Sequence, residues 1–271
     1  CIRDRLRSVT IGTNDMNETK KLFHDILGLN YQDKGEGVRF GDTNLASGTR
    51  LHFMEIPNYD SSVVHIDSIG LRVPTDESLN EYQTILKQND ITYSDITELN
   101  GNKHFSFKDH NGQRFDIYSN EQNTGTPLGT PSFDSPVHPL HQIQGLGPVI
   151  LKVNQLVLTI SVLSQVLGLE HFAQYSPSSK VTDNIQVFKI GDGGLGGELH
   201  LYNADETIQV PEHGLVEQVE FATDDVKQYQ NALEQLETIG MPYQRLKQDD
   251  SQSVRINENS GISFILTSEQ S

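Results

Sequence analysis

Ile26-Leu27-Gly28-Leu29 and Val166-Leu167-Gly168-Leu169 are near-copies of one tetrapeptide about 140 residues apart, and their surroundings match as well. Ahead of the first copy, the strand-like run Ser8-Val9-Thr10-Ile11 leads into Asp15-Met16-Asn17-Glu18. There Asp15 and Glu18 stand at the spacing of a capping box. Met16, Leu22, Phe23, Ile26 and Leu27 then recur at helical spacing, and Gly28 supplies the stop. Ahead of the second copy, Pro148-Val149-Ile150-Leu151 plays the part of the strand. A pattern that returns in this way marks an internal structural repeat.

Two further copies fill the gaps. Ser68-Ile69-Gly70-Leu71-Arg72-Val73 precedes a helix expected over 76–88, with Leu79, Tyr82, Ile85 and Leu86 on one face. Gln218-Val219-Glu220-Phe221 precedes one expected over 224–238, with Val226, Tyr229, Leu233 and Leu236 on one face and Gly240 and Pro242 as stops. Each helix is followed by short β-type runs. The last run of each copy starts from a glycine: Gly48, Gly112, Gly196 and Gly261. The order is β-α-β-β-β four times, which predicts an α+β protein. Residues 121–142, rich in proline and glycine, read as a linker between a half at 1–120 (modules one and two) and a half at 143–271 (modules three and four).

Composition narrows the function classes. The 271 residues carry a formal charge of −17, which disfavours nucleic acid and anionic membranes as partners. A single cysteine, Cys1, permits no disulfide within the chain and fits a reducing compartment. Neither a membrane span nor a signal sequence is expected, so the cytoplasm is the expected location. The expected partner is a small molecule, with a homodimer as a further possibility.

The repeat, together with Ile69-Gly70-Leu71-Arg72-Val73-Pro74, Asp109-His110-Asn111-Gly112-Gln113-Arg114-Phe115, Gly129-Thr130-Pro131 and Gly145-Leu146-Gly147-Pro148-Val149, resembles the vicinal oxygen chelate superfamily of glyoxalases, bleomycin-resistance proteins and extradiol dioxygenases. Within it, the chain is most similar to the two-domain ring-cleaving dioxygenases of Gram-positive bacteria. The resemblance implies the glyoxalase/bleomycin resistance/dihydroxybiphenyl dioxygenase fold, in which modules form half-barrels and paired modules enclose iron or manganese. It also implies ligand positions: a His-His pair on the first strand of modules one and four, and a Glu on the last strand of module four. Those positions carry Arg7-Ser8, Glu217-Gln218 and Ile265 here.

The repeat itself allows a separate count. Each module offers two inward candidates, the residue opening its first strand and the fourth residue after its last-strand glycine. These are Ser8 and His52, Ser68 and Asp116, Pro148 and His200, and Gln218 and Ile265. A non-haem iron site needs about two His and one carboxylate on one face. If modules one and four share a barrel, as the resemblance implies, His52 is its one strong ligand and the other barrel holds Asp116 and His200. If sequential modules pair, His52 joins Asp116 and His200 stands alone. His52, Asp116 and His200 are therefore weak metal candidates, and no cofactor is predicted.

The leading expectation is a family member without the usual metal ligands that binds a small aromatic or planar molecule in a cup. The alternative is a ring-cleaving or glyoxalase-type enzyme using Fe(II) or Mn(II) through displaced ligands, for example His52 with Glu217 or Glu55. A metal-independent enzyme would use Glu217, Asp116 or His200 as a base. Glu217 alternates with Gln218 and so is expected to point outward. Gly191-Asp192-Gly193-Gly194-Leu195-Gly196 matches a dinucleotide fingerprint only in letters, because it opens a β-run and no helix.

Overall fold

A computed structural model describes residues 4–60, 64–176, 184–209, 216–248, 251–258 and 261–269. Cys1 lies outside them. Module one forms β1 (Arg5–Thr13), α1 (Met16–Lys20, continuing as a π-type turn over Lys21–Ile26), β2 (Asn30–Lys34), β3 (Gly37–Gly41) and β4 (Arg50–Glu55). Module two forms β5 (Ile66–Val73), α2 (Asp76–Gln88), β6 (Thr97–Leu99), β7 (Asn102–Lys108) and β8 (Arg114–Ser119). Module three forms β9 (Gly145–Val153), α3 (Leu156–Ser161, continuing as a π-type turn over Val162–Val166), β10 (Glu170–Tyr175), β11 (Ile185–Lys189) and β12 (Glu198–Asn203). Module four forms β13 (Gln218–Thr223), α4 (Val226–Ile239), β14 (Tyr243–Gln248), β15 (Ser251–Asn257) and β16 (Ser263–Ser268). The four-module α+β architecture is thus as expected.

Asp15 caps α1 by accepting hydrogen bonds from the Asn17 and Glu18 amides at 2.9 and 3.1 Å. Gly28 ends that helix at φ +82°, and a Cβ there would fall 2.3 Å from Ser135 Oγ of the linker. Glycine is therefore required on two counts. The dinucleotide-like stretch is a turn between β11 and β12, with positive φ at Gly191, Gly193 and Gly194.

Two eight-stranded sheets result, in the orders β14-β15-β16-β13-β1-β4-β3-β2 and β10-β11-β12-β9-β5-β8-β7-β6. The first joins modules four and one, the second joins three and two. Each sheet thus draws one module from each side of the linker. The seam in each is an antiparallel pair of first strands, β1 with β13 and β5 with β9. At the second seam the backbones approach so closely that a Cβ on Gly70 would lie 2.6 Å from Pro148. Pro148, which has no amide proton to donate, occupies the irregularity in the register there.

Alternate residues of each sheet face the helices and form one continuous apolar core drawn from all four modules. Phe23 of the π-type turn packs, tilted or edge-on, among Phe40, Phe53 and Phe115 at centroid distances of 5.6, 5.0 and 5.1 Å, so it ties both sheets together. The linker is not a free tether. Arg72 of β5, fully buried, donates to the carbonyls of Leu146, Thr126 and Pro127 and to Asn120 Oδ1.

Candidate functional site: two polar cups

The faces turned away from the helices are polar. In the sheet of modules one and four, register sets two rows across the strands. One runs Arg255, Ile265, Glu220, Ser8, Arg50. The other runs Ser263, Gln218, Thr10, His52, Arg39. Ser8, Gln218, His52 and Ile265 therefore gather at the middle of one surface, from two central strands and the strands beside them. Ser8 and Ile265 flank Glu220, while Gln218 stands two residues further along the same strand.

Glu220 is the centre of this surface. It is buried and accepts from Arg7 Nη1 at 2.8 Å, Ser8 Oγ at 2.6 Å and Thr267 Oγ1 at 2.5 Å. A bulge between Leu6 and Ser8 frees Arg7 from the ladder and lets its Nε reach Glu269 at 2.7 Å as well. Arg5 closes the chain of ion pairs on Glu269 at 2.5 Å. Burial pushes the Glu269 carboxyl up, but the Arg7 hydrogen bond, Arg5 and Ser47 outweigh it and leave it below the ordinary value.

His52 is neutral. Burial, then the charges of Arg39 and Lys34, lower its pKa to about 4, and its buried Nε2 has no hydrogen-bond partner among the described residues. Its ring lies over Gly37, where a Cβ would sit 2.6 Å from Nε2. Burial and the neighbouring Arg7 and Arg39 charges lower the Arg50 guanidinium to about 10.

This donor set does not fit a divalent metal. Ile265 offers no ligand, Ser8 is already a donor to Glu220, and Glu220 is neutralised by an arginine. Arg7, Arg39 and Arg50 would repel a cation at the one available imidazole. The displaced-ligand sets do not assemble either. Glu217, expected to point outward, is buried. It accepts from the His65 and Ile66 amides at 2.8 Å each and lies 2.9 Å from His65 Nδ1, so it ties β13 to the start of β5. Glu55 accepts from the Met16 amide and caps α1.

The second cup, from modules two and three, holds Asp116 and His200. The Ser68 hydroxyl donates to Asp116, and Arg114 Nη2 stands 3.2 Å from the same carboxylate. His200 is engaged on both nitrogens, by the Tyr175 hydroxyl at 3.0 Å and Glu198 at 3.1 Å. Beside it, His104 stacks on Tyr118 at 4.6 Å. The cavity bounded by Tyr118, Pro148, Tyr175, Glu198 and His200 measures about 80 Å³. That is well below the several hundred Å³ of ordinary ligand sites. A larger groove of about 750 Å³ runs outside both cups, between the first helix and the β7–β8 turn. Arg114, whose guanidinium also meets Asp116, lines it, but none of the candidate residues of either cup does. Among the described residues no group of three His, Cys, Asp or Glu side chains is arranged to hold a metal, and no helix is long and apolar enough to cross a membrane.

Arg7 was met in the sequence only as the occupant of a position the resemblance implies, and Glu220, Arg39 and Arg50 were not among the candidate site residues. Parity alone would have found Glu220, two residues from Gln218, and Arg50, two residues from His52.

Four βαβββ modules paired across two sheets, with a polar cup in each, define the class. Residues 5–117, which span modules one and two and less than half of the chain, match the profile described as Glyoxalase/Bleomycin resistance protein/Dioxygenase superfamily. Among individual proteins, it is 28% identical over 212 residues to MhqA of Bacillus subtilis (strain 168), named as a ring-cleaving dioxygenase. The match takes in 74% of this chain and 66% of that protein, just under two thirds of its length. A Bacillus subtilis structure described as a dioxygenase superposes with a TM-score of 0.72 at 16% identity, covering 97% of this chain and 84% of that one. Glyoxalase I from Zea mays superposes with a TM-score of 0.66 at 16% identity, covering 98% and 92%. These structural likenesses bear on the fold.

Proposed function

We propose that this chain is a superfamily member that has lost the usual metal ligands and binds a small aromatic or planar molecule in the cup of modules one and four. The observation that carries the reading is Glu220. A carboxylate held by Arg7, Ser8 and Thr267 takes the centre of the cup, where a metal site would need open donors. Ser8, Gln218 and Ile265 around it offer no anionic ligand. The single cysteine supports a cytoplasmic setting.

The relationship to MhqA favours a second reading, metal-dependent ring cleavage with displaced ligands. In a site of that kind Fe(II) or Mn(II) would hold the substrate oxygens and dioxygen. Titration with Fe(II) and Mn(II) under oxygen-free reducing conditions, followed by assay on catechol and hydroquinone, separates the two. No stoichiometric binding and no metal-dependent ring cleavage is the expected result. About one metal per chain with turnover would establish the enzyme instead.

A further inference from the structure

The cup of modules two and three holds the cavity of about 80 Å³ between Tyr118, Pro148, Tyr175, Glu198 and His200. A groove of about 340 Å³ adjoins it, and the two share Asn100, Asn102, Leu195 and Glu198 as lining. The cavity is too small for a whole drug-sized molecule, yet it is several times the space that one water needs. Its polar groups are not all satisfied by the protein. Tyr118 is 2% exposed, and its hydroxyl has no hydrogen-bond partner among the described residues. Asn102 Oδ1, on the lining of both spaces, is buried without a partner as well. Such groups cost free energy unless something completes them.

The remaining groups face the cavity as acceptors. Ionised Glu198 can only accept, so His200 Nε2, 3.1 Å away, carries a proton. Nδ1 of a neutral ring then accepts from the Tyr175 hydroxyl at 3.0 Å, which leaves the Tyr175 oxygen able to accept in turn. Burial pushes both tyrosine hydroxyls above their ordinary range, so neither is an anion. Glu198 is the one charged residue among those that line the cavity. The cations nearby are committed elsewhere. Arg114 stands 3.2 Å from Asp116 and 3.9 Å from Asp67, while Lys189 stands 3.5 Å from Glu170 and over the Phe172 ring.

We propose that this cavity is an amine seat, which takes the ammonium head of a small primary alkylamine with the alkyl chain lying in the adjoining groove. An ammonium brings one positive charge to Glu198 and three N–H donors to the oxygens around it. A carboxylate or phosphate would meet Glu198 with like charge, and a neutral hydroxyl would leave that charge uncompensated. Aromatic walls also favour an ammonium over a neutral head. The seat lies in the other sheet from the cup to which the proposed function is assigned, and it stands independently of that reading.

The test compares n-butylammonium with 1-butanol, its neutral counterpart, by NMR titration of the full chain at neutral pH. Butylammonium is expected to bind about tenfold or more tightly, the low end of what a hydrogen bond to a charged group supplies, with shifts confined to modules two and three. Glu198→Gln keeps the shape and an acceptor for His200 but removes the charge, and should bring butylammonium down to the butanol level. Tyr118→Phe removes one hydroxyl and should weaken butylammonium about fivefold. The comparison within the unmodified protein needs no variant, so it stands even if either one fails to fold. Equal affinity for the two compounds, no binding of butylammonium, shifts centred on modules one and four, or binding untouched by either substitution would each overturn the amine seat. Titration with Fe(II) or Mn(II) bears on the proposed function alone.

Discussion

His52 makes the most quantitative prediction. Its imidazole falls from the ordinary 6.5 to about 4 in the folded chain, chiefly through burial, then through Arg39 and Lys34, with Glu220 opposing them. The unfolded chain takes up a proton below pH 6.5 that the folded chain refuses until about pH 4. Stability is therefore complete above pH 6.5, is lost as the pH falls through that window, and levels off below it. At about 1.4 kcal/mol per pH unit, the full effect is bounded near 3.4 kcal/mol. The ring is only partly buried, and screening reduces the expected loss to about 2 kcal/mol. His52→Phe removes the titration and also an unsatisfied buried nitrogen, so it should cost little at pH 8. Urea unfolding followed by far-UV circular dichroism, at intervals from pH 8 to 4, measures both proteins; the chain has no tryptophan to report by fluorescence. The other histidines titrate in both and cancel in the difference. The wild type should lose about 2 kcal/mol more than His52→Phe across the window. Parallel curves would refute the argument and mean that His52 is protonated as easily in the cup as in water.

Other perturbations test the framework around the cups. Arg72→Met leaves three carbonyls and the Asn120 amide oxygen without their donor in a buried site. It should cost about 3–5 kcal/mol of unfolding free energy and speed proteolysis within 121–142. Glu220→Gln strands Arg7 on Glu269 alone and should cost about 3 kcal/mol by thermal or urea unfolding, whereas a surface acid such as Glu234 changed to Gln should cost almost nothing. Gly37→Ala would push a methyl to 2.5 Å from the Phe53 carbonyl oxygen and 2.6 Å from His52 Nε2. It should destabilise by about 1–3 kcal/mol and raise the His52 titration midpoint, as read by imidazole proton shifts, because the ring must move toward solvent. Glu269, held below its ordinary value, contributes stability above the unfolded carboxylate range, and that contribution disappears as pH falls through its lower folded value. Glu269→Gln should therefore flatten the unfolding curve only below about pH 4.5.

The repeat was legible because its signals are local. A cap at Asp15, helix-ending glycines at Gly28 and Gly168, and period-2 runs opening from Gly48, Gly112, Gly196 and Gly261 need only neighbours in the chain to be read. The same periodicity placed Ser8, His52, Gln218 and Ile265 on cup-facing positions before any partner strand was known. Which modules share a sheet was not legible. The seam between β1 and β13 joins residues more than 200 apart, and nothing in either strand names its partner. Burial of both apolar faces against all four helices decides it, a property of the whole chain. The tertiary structure also decided the chemistry of the cup. Glu217 and Glu220 are three residues apart and look equivalent in sequence, yet one ties two modules together through His65 and the other is wrapped by Arg7, Ser8 and Thr267. Arg50 carries no sign of its surroundings in the sequence. Only the curl of the sheet crowds it against Arg7 and Arg39 and takes its Nη1 out of water.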